Sequence, residues 1–189
     1  MVGKIILASS SPRRADILRK AKIEVEIMPS PYVEDHTQTA FSYDFIENLA
    51  YNKAKAVLPL LKEPSLVVGA DTVVVLDNEI LGKPHNTENS FKMLKLLSGK
   101  THFVVTSIAV INSETQDYKI NSTTSYVTFE NLTDEQINFY IENYKPFDKA
   151  GSYGIQEMPE GYIKSYEGDL ENIIGISSES LKDLLRFFV

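Results

Sequence analysis

The sequence predicts an α/β fold: a mixed, partly antiparallel sheet flanked by helices, in two lobes around a cleft. Three observations carry this expectation. Apolar runs of β-type composition at residues 4–8, 67–76, 101–112 and 118–129 are interspersed with stretches of helical spacing. The two longest β-type runs, 101–112 and 118–129, are joined by nothing more than the polar turn 113–117, which favours an antiparallel pair. Strands and helices do not alternate regularly, so a doubly wound parallel sheet is not expected.

Each element has a local reason. Residues 4–8 read as a buried strand, 12–21 as a helix and 24–28 as a strand with alternating faces. Ser11 is a suitable N-cap for the first helix, and Pro12 suits its first position. Residues 29–40 hold Pro, Asp, His and Thr without a period and read as a loop. The clearest helix spans 42–61, with Ile46, Leu49, Ala50, Ala54, Val57, Leu58 and Leu61 on one stripe. The run 67–76 turns at Asp77-Asn78 into 79–81, and 86–97 reads as a helix capped by Asn86 or Thr87. A fourth helix, 133–143, sets Ile137, Tyr140, Ile141 and Tyr144 on one side. Short strands and loops are expected over the glycine-rich 151–175, and a last helix over 177–188. No repeat, low-complexity tract or long linker interrupts the chain, which reads as one domain over 1–189.

Composition narrows the function. The 189 residues are 43% hydrophobic and 24% charged, values of an ordinary globular protein. A formal net charge of −7 argues against bulk nucleic-acid binding, although positive groups can still converge locally on a nucleotide. Without cysteine, disulfides, thiolate chemistry and cysteine-based metal centres are excluded. The N-terminal apolar run is too short for a signal peptide and no stretch could span a bilayer, so a cytoplasmic protein is expected.

Several residues could carry chemistry. Ser9-Ser10-Ser11-Pro12-Arg13-Arg14 follows a strand and opens a helix, whose terminal N–H groups and partial positive charge suit an anion. The guanidinium groups of Arg13 and Arg14 match phosphate oxygens, although alone the segment reads as readily as a capped surface helix. Asp71 lies in an apolar β-run, where a carboxylate is costly unless paired, hydrogen-bonded or metal-bound. It could bind a divalent cation or activate water, or sit at a strand bend facing solvent. Lys53 falls inside the apolar stripe of its helix, where it either snorkels outward or neutralises a buried anion or carboxylate. Lys83, between Gly82 and Pro84, is on a restricted turn that could aim its ammonium at phosphate. His102, one of three histidines, is the weaker signal and reads as structural. In Asp148–Gln156, written DKAGSYGIQ, two glycines allow close backbone approach, and Gln156 offers a donor and an acceptor to the edge of a base such as uracil or thymine. No GxxxxGK[ST], GxGxxG or HExxH motif is present.

Together and in this order, these segments resemble the Maf family of septum-formation-like nucleoside triphosphate pyrophosphatases. The matching pieces are LASSSPRR at 7–14, Glu34 in PYVED, LAYNKAKAV at 49–57, GADTVV at 69–74, GKP at 82–84, LSGKTHFVVTSIAV at 97–110 and KPFDKAGSYGIQ at 145–156. The resemblance implies a fold similar to inosine triphosphate pyrophosphatases and hydrolysis between the α- and β-phosphates with a divalent metal, Mg²⁺ or Mn²⁺. It implies Asp71 as proton acceptor, and Arg13, Thr72 and Gln156 as base-selecting residues of the subgroup acting on dTTP and UTP and on some modified pyrimidine triphosphates. A homodimer is expected on the same ground.

On this basis a triphosphate is expected in the cleft beside Ser9 and Arg14, with Arg13, Lys53 and Lys83 offsetting its charge. Glu34 and Asp71 are expected to hold the metal, and Thr72 and Gln156 to read the base. Two departures stand out: Glu157-Met158-Pro159 follows Gln156 where the family has Gly, and Gly175-Ile176-Ser177-Ser178 replaces a GLPL segment. The first bears on substrate range; the second leaves Ser177 or Ser178 to cap the last helix. The rival readings are a nucleotide-binding regulator of division without turnover, and a pyrophosphatase for another base such as 7-methyl-GTP.

Overall fold

The computed structural model describes residues 4–34 and 38–188; residues 35–37 of the expected 29–40 loop lie outside the described residues. The strands are β1 (Lys4–Leu7), β2 (Glu26–Ile27), β3 (Ser65–Leu76), β4 (Glu79–Leu81), β5 (Thr101–Asn112), β6 (Tyr118–Phe129) and β7 (Ile163–Glu167). The helices are α1 (Pro12–Lys20), α2 (Tyr43–Lys55), α3 (Thr87–Leu97), α4 (Asp134–Tyr144), α5 (Leu170–Ile174) and α6 (Ser178–Leu185). One mixed sheet runs β2-β1-β3-β5-β6-β7, with β4 also against β3. The β1 pairs are parallel and the rest antiparallel, as the expected fold class requires.

Strand β3 organises the molecule. Its first four residues pair with β1 and its last three with β4, both on the same edge. Between them, residues 69–73 have no strand partner on that edge among the described residues. Their opposite edge is fully paired to β5, from Gly69↔Ala109 to Val73↔Val105. The open stretch contains Asp71 and Thr72. Because side chains alternate along a strand, the two point to opposite faces of the sheet.

Helix α2 covers one face there, and glycine makes the approach close. A Cβ on Gly69 would lie 2.1 Å from the Ala50 carbonyl oxygen and 2.7 Å from the Ala54 nitrogen. Only glycine opposite small alanines admits this contact. It brings Lys53 down onto β3. Helix α2 stops at Lys55, short of the expected 61, and a 3₁₀ turn Leu58–Leu60 follows. Pro59 accounts for the difference: it lacks an N–H and its ring would meet the carbonyl of residue 55.

Two main apolar clusters support the cleft from either end of the sheet. One joins α1, α6 and the β1 side of the sheet through Leu7, Leu18, Val68, Ile108, Ile176 and Leu181. The other joins α3 and α4 to the far end of β3, β5 and β6 through Val74, Leu94, Leu97, Phe129, Ile137 and Tyr140. Each fully buried Leu or Ile contributes about 1.5–3 kcal/mol relative to exposure.

Several boundaries shift. β2 is confined to two exposed residues rather than 24–28. Helix α4 starts behind a capping box of Thr133 and Gln136. Asn86 caps α3 by accepting from the Asn89 N–H, and Ser177 caps α6 by accepting from the Ser180 N–H. The last helix ends at Leu185 and tightens to a 3₁₀ turn, Arg186–Phe188. Helix α5 stands where only strands and loops were expected. Its start is signalled by Asp169, whose carboxylate accepts from the Glu171 N–H.

Candidate active site

A cleft of about 690 Å³ opens around the unpaired stretch of β3, within the range of small-molecule sites. Every sequence-derived candidate lines it: Ser9, Arg13, Arg14, Glu34, Lys53, Asp71, Thr72, Lys83 and Gln156. How each side chain is engaged differs greatly.

On the α2 face, Asp71 is 7% exposed, which excludes the solvent-facing alternative. Its Oδ1 accepts a hydrogen bond from the Lys53 ammonium. The same Nζ lies 2.8 Å from Glu34 Oε1. Lys53 therefore neither snorkels nor waits unpaired for phosphate: it bridges two carboxylates, with its side chain 12% exposed. Ser30 Oγ donates to the Lys53 carbonyl at 2.7 Å and so fastens the segment leading to Glu34 onto α2.

On the opposite face of β3, Arg14 is committed to the scaffold. Its Nε donates to the Gly175 carbonyl at 2.8 Å, and one terminal nitrogen donates to the Ala70 carbonyl at 2.8 Å and to Ser9 Oγ at 3.2 Å. The other donates to Thr72 Oγ1 at 3.0 Å. The Ala70 carbonyl belongs to the open edge, so the guanidinium supplies the partner that a neighbouring strand would otherwise give. Burial lowers the Arg14 pKa and Asp71 opposes that shift electrostatically; a guanidinium nonetheless remains charged. Arg14 thus ties α1, β3 and the end of α5 together rather than standing ready for an anion, as the paired arginines had suggested.

Thr72 is equally engaged. Besides Arg14, its hydroxyl lies 2.9 Å from Thr106 Oγ1 and 3.2 Å from the Gly175 carbonyl. Helix α5 is in turn fixed by Asn172, fully buried, whose side chain bonds the Thr106 N–H, the Val104 carbonyl and Ser125 Oγ. Ser11 occupies the N-cap position of α1 but makes no side-chain capping bond; its N–H instead donates to Ser9 Oγ at 3.2 Å. Arg13 is the more available arginine, 3.8 Å from Asp148 and with its side chain 32% exposed. Lys83 is exposed at the rim.

The wall opposite α2 is the segment from Asp148 to Glu157. Gln156 is exposed on a short 3₁₀ turn, Ile155–Glu157. Beneath it, Tyr140 OH accepts from the Gly154 N–H at 3.1 Å, and the hydroxyls of Ser90 and Ser152 share a hydrogen bond. His102 Nε2 and Tyr153 OH share one of 2.7 Å, and the imidazole packs edge-on against Phe129 and Tyr153. Burial pushes the His102 pKa down to about 4 and that of Tyr140 up to about 12. His102 is structural, as expected. Sequence reasoning missed Lys149, a buried lysine on this wall whose ammonium lies 3.1 Å from Glu157 and 3.3 Å from Asp148. Its signal was its place between an aspartate and the glycines of the same motif.

A phosphate-suited helix terminus, an ion-paired carboxylate on an open strand edge and an amide-bearing wall define a small-anion cleft of nucleotide size. The family of Maf-like proteins matches residues 4–188, and the chain belongs to that family. A Clostridium botulinum protein named dTTP/UTP pyrophosphatase is 38% identical, with 97% of this chain and 98% of that protein covered. A Thermosipho africanus protein of the same name is 42% identical, with 96% and 92% covered. Among solved structures, a HAM1 protein from Coxiella burnetii aligns at a TM-score of 0.52 and 18% identity, covering 99% of this chain and all of that one. The Staphylococcus aureus Ham1 protein aligns at 0.51 and 15%, with the same coverage. These two likenesses bear on the fold alone. No helix among the described residues is long and apolar enough to cross a membrane.

Proposed function

We propose that this protein hydrolyses dTTP and UTP to the nucleoside monophosphate and pyrophosphate. The full-length similarity to relatives of that name supports the reading. The observation that carries the site assignment is the ion-paired Asp71, at the unpaired edge of β3 and inside a cleft of nucleotide size.

The triphosphate lies along the start of α1, whose N–H groups, with Arg13 and Lys83, offset its charge. Asp71 accepts the proton of a water that attacks the α-phosphorus. The bond from that phosphorus to the α–β bridging oxygen breaks, and pyrophosphate departs with the bond's electron pair. Lys53 fixes Asp71 and Glu34 relative to each other, and Arg14 holds Ala70 and Thr72 on either side of Asp71. Thr72 acts in base selection through the Arg14 network it belongs to, and Gln156 by pairing with the base edge.

A divalent cation fits this site. Two carboxylates, Glu34 and Asp71, already converge on one positive group, and their oxygens suit a hard cation. Glu34 and Asp71 would hold the metal, with phosphate oxygens and water as further oxygen ligands; among the described residues no group of three or more His, Cys, Asp or Glu converges. When bound, Mg²⁺ or Mn²⁺ neutralises phosphate charge. A single domain and action in the cytoplasm, expected from the sequence, and a homodimer and a link to septum formation, expected from the family resemblance, belong to the same reading.

Pyrophosphate release from dTTP, UTP, CTP, GTP and 7-methyl-GTP with Mg²⁺ or Mn²⁺ tests it. Turnover peaking on dTTP and UTP, and lost in Asp71→Asn, is the expected result. A peak on another base overturns the substrate assignment; nucleotide binding without turnover overturns the enzyme.

A further inference from the structure

We propose that Lys149 and Glu157 form a second base-reading pair beside Gln156, with the Lys149 ammonium donating to a carbonyl oxygen of the pyrimidine. This deepens the reading above and rests on it. Lys149 is 8% exposed, an unfavourable place for an ammonium unless its partners compensate. Those partners are the carboxylates of Glu157 and Asp148, both open to solvent, with side chains 39% and 69% exposed. The lysine is thus tethered from the solvent side, at the cleft, and not locked into the core.

The tether is built into the backbone. A Cβ on Gly154 would lie 3.2 Å from Lys149 Cε, 3.3 Å from its Cδ and 3.4 Å from Glu157 Oε2. The lysine stem runs closely beneath Gly154, whose φ of −120° is open to any residue, so what the glycine leaves here is space beside that stem. The Glu157 N–H donates to the Gly154 carbonyl at 2.9 Å, closing the turn that also presents Gln156. Lys149, Gln156 and Glu157 are thereby held as one unit, anchored below by Tyr140 and Ser90.

Charge decides which part of a nucleotide this unit takes. Arg13 and Lys149 are positive, Asp148 and Glu157 negative, and the four are linked in a chain of sum zero. A carboxylate 3.1 Å from the ammonium repels a polyphosphate but accepts a neutral base edge. Uracil and thymine present carbonyl oxygens on either side of an N–H. Gln156 takes the single ring N–H and the carbonyl at position 2, which leaves the carbonyl at position 4 to Lys149, a group that can only donate and that Glu157 holds in place. Cytosine carries an amino group at position 4, and against the ammonium it leaves two donors face to face.

The test is kcat/KM for UTP and CTP in wild type, Lys149→Gln and Glu157→Gln, with thermal melts of each. Glutamine can rotate to accept from an amino group, so Lys149→Gln is expected to lower the UTP:CTP ratio at least tenfold. Glu157→Gln, a near-isosteric change on an accessible side chain that leaves Lys149 its Asp148 partner, is expected to lower it several-fold, with a cooperative melt at a somewhat lower temperature. A ratio unchanged in both folded variants, with KM raised equally for both nucleotides, overturns the proposal in favour of a phosphate contact. Should Lys149→Gln fail to fold, Glu157→Gln alone decides by the same ratio. Wild-type protein inactive on UTP instead overturns the proposed function itself.

Discussion

The two walls of the cleft are both ionic, yet they are organised in opposite ways. On the α2 wall one ammonium bridges two carboxylates, with the three side chains 10–26% exposed. On the Asp148–Glu157 wall carboxylates and the Lys149 ammonium alternate in sign. Arg13 of α1 joins through Asp148 to bring the four groups to a sum of zero, and Gln156 stands uncharged beside them. Two carboxylates converging on one ammonium suit a cation and a proton acceptor. A neutral polar lattice suits discrimination between hydrogen-bonding edges, where an unmatched donor is costly. The contrast assigns chemistry to one wall and base selection to the other.

The strongest way to break this division is at Asp71. Asp71→Asn is expected to lower kcat by about 10²–10⁴, the range for losing a general base. Steady-state assays on each nucleotide should show the same factor throughout. Next comes Gly69→Ala, which leaves every ionisable group in place but drives a methyl into the Ala50 carbonyl. Overpacking of this kind costs about 1–3 kcal/mol, or on the order of 2–12 °C in melting temperature for a chain of this size. Calorimetry should show the loss. Assays should show slower turnover with base preference kept, because Lys53 moves with α2.

The reading wall is probed by acid. His102, 2% exposed beneath it, has its folded pKa depressed from 6.5 to about 4 by burial. The unfolded chain binds the proton first as pH falls below 6.5, so this contribution is complete above 6.5. It is lost on descent to about 4 and constant below. The depression corresponds to about 3 kcal/mol at most. Urea unfolding from pH 7 to 4 should show a shallower loss in His102→Leu than in wild type. Smallest is Thr133→Ala in the capping box of α4, expected to cost about 1 kcal/mol by thermal unfolding and to leave kcat and base preference alone.

Much of this was legible from local pattern. The hairpins β3–β4 and β5–β6 followed from β-type runs joined by short polar turns, and Lys53 announced itself by standing inside an apolar stripe. Arg13 and Arg14 could not be told apart, because neighbours on a helix diverge by 100° and only the packed α5 reveals which one turns inward. That Asp71 lies on an unpaired strand edge was equally hidden, since it depends on β1 and β4 sharing one side of β3. Lys149 reads as an ordinary charged residue until its stem is seen buried beside Gly154. Helix α5 is too short for a periodic signal and is held by Asn172, whose partners are about 50–70 residues away in sequence.

The most direct test of the division is kcat/KM for UTP and GTP in Asp71→Asn and Gln156→Glu, measured side by side. The account predicts that Asp71→Asn lowers both by one common factor and that Gln156→Glu shifts their ratio. A changed ratio in Asp71→Asn, or an unchanged one in Gln156→Glu, would contradict it.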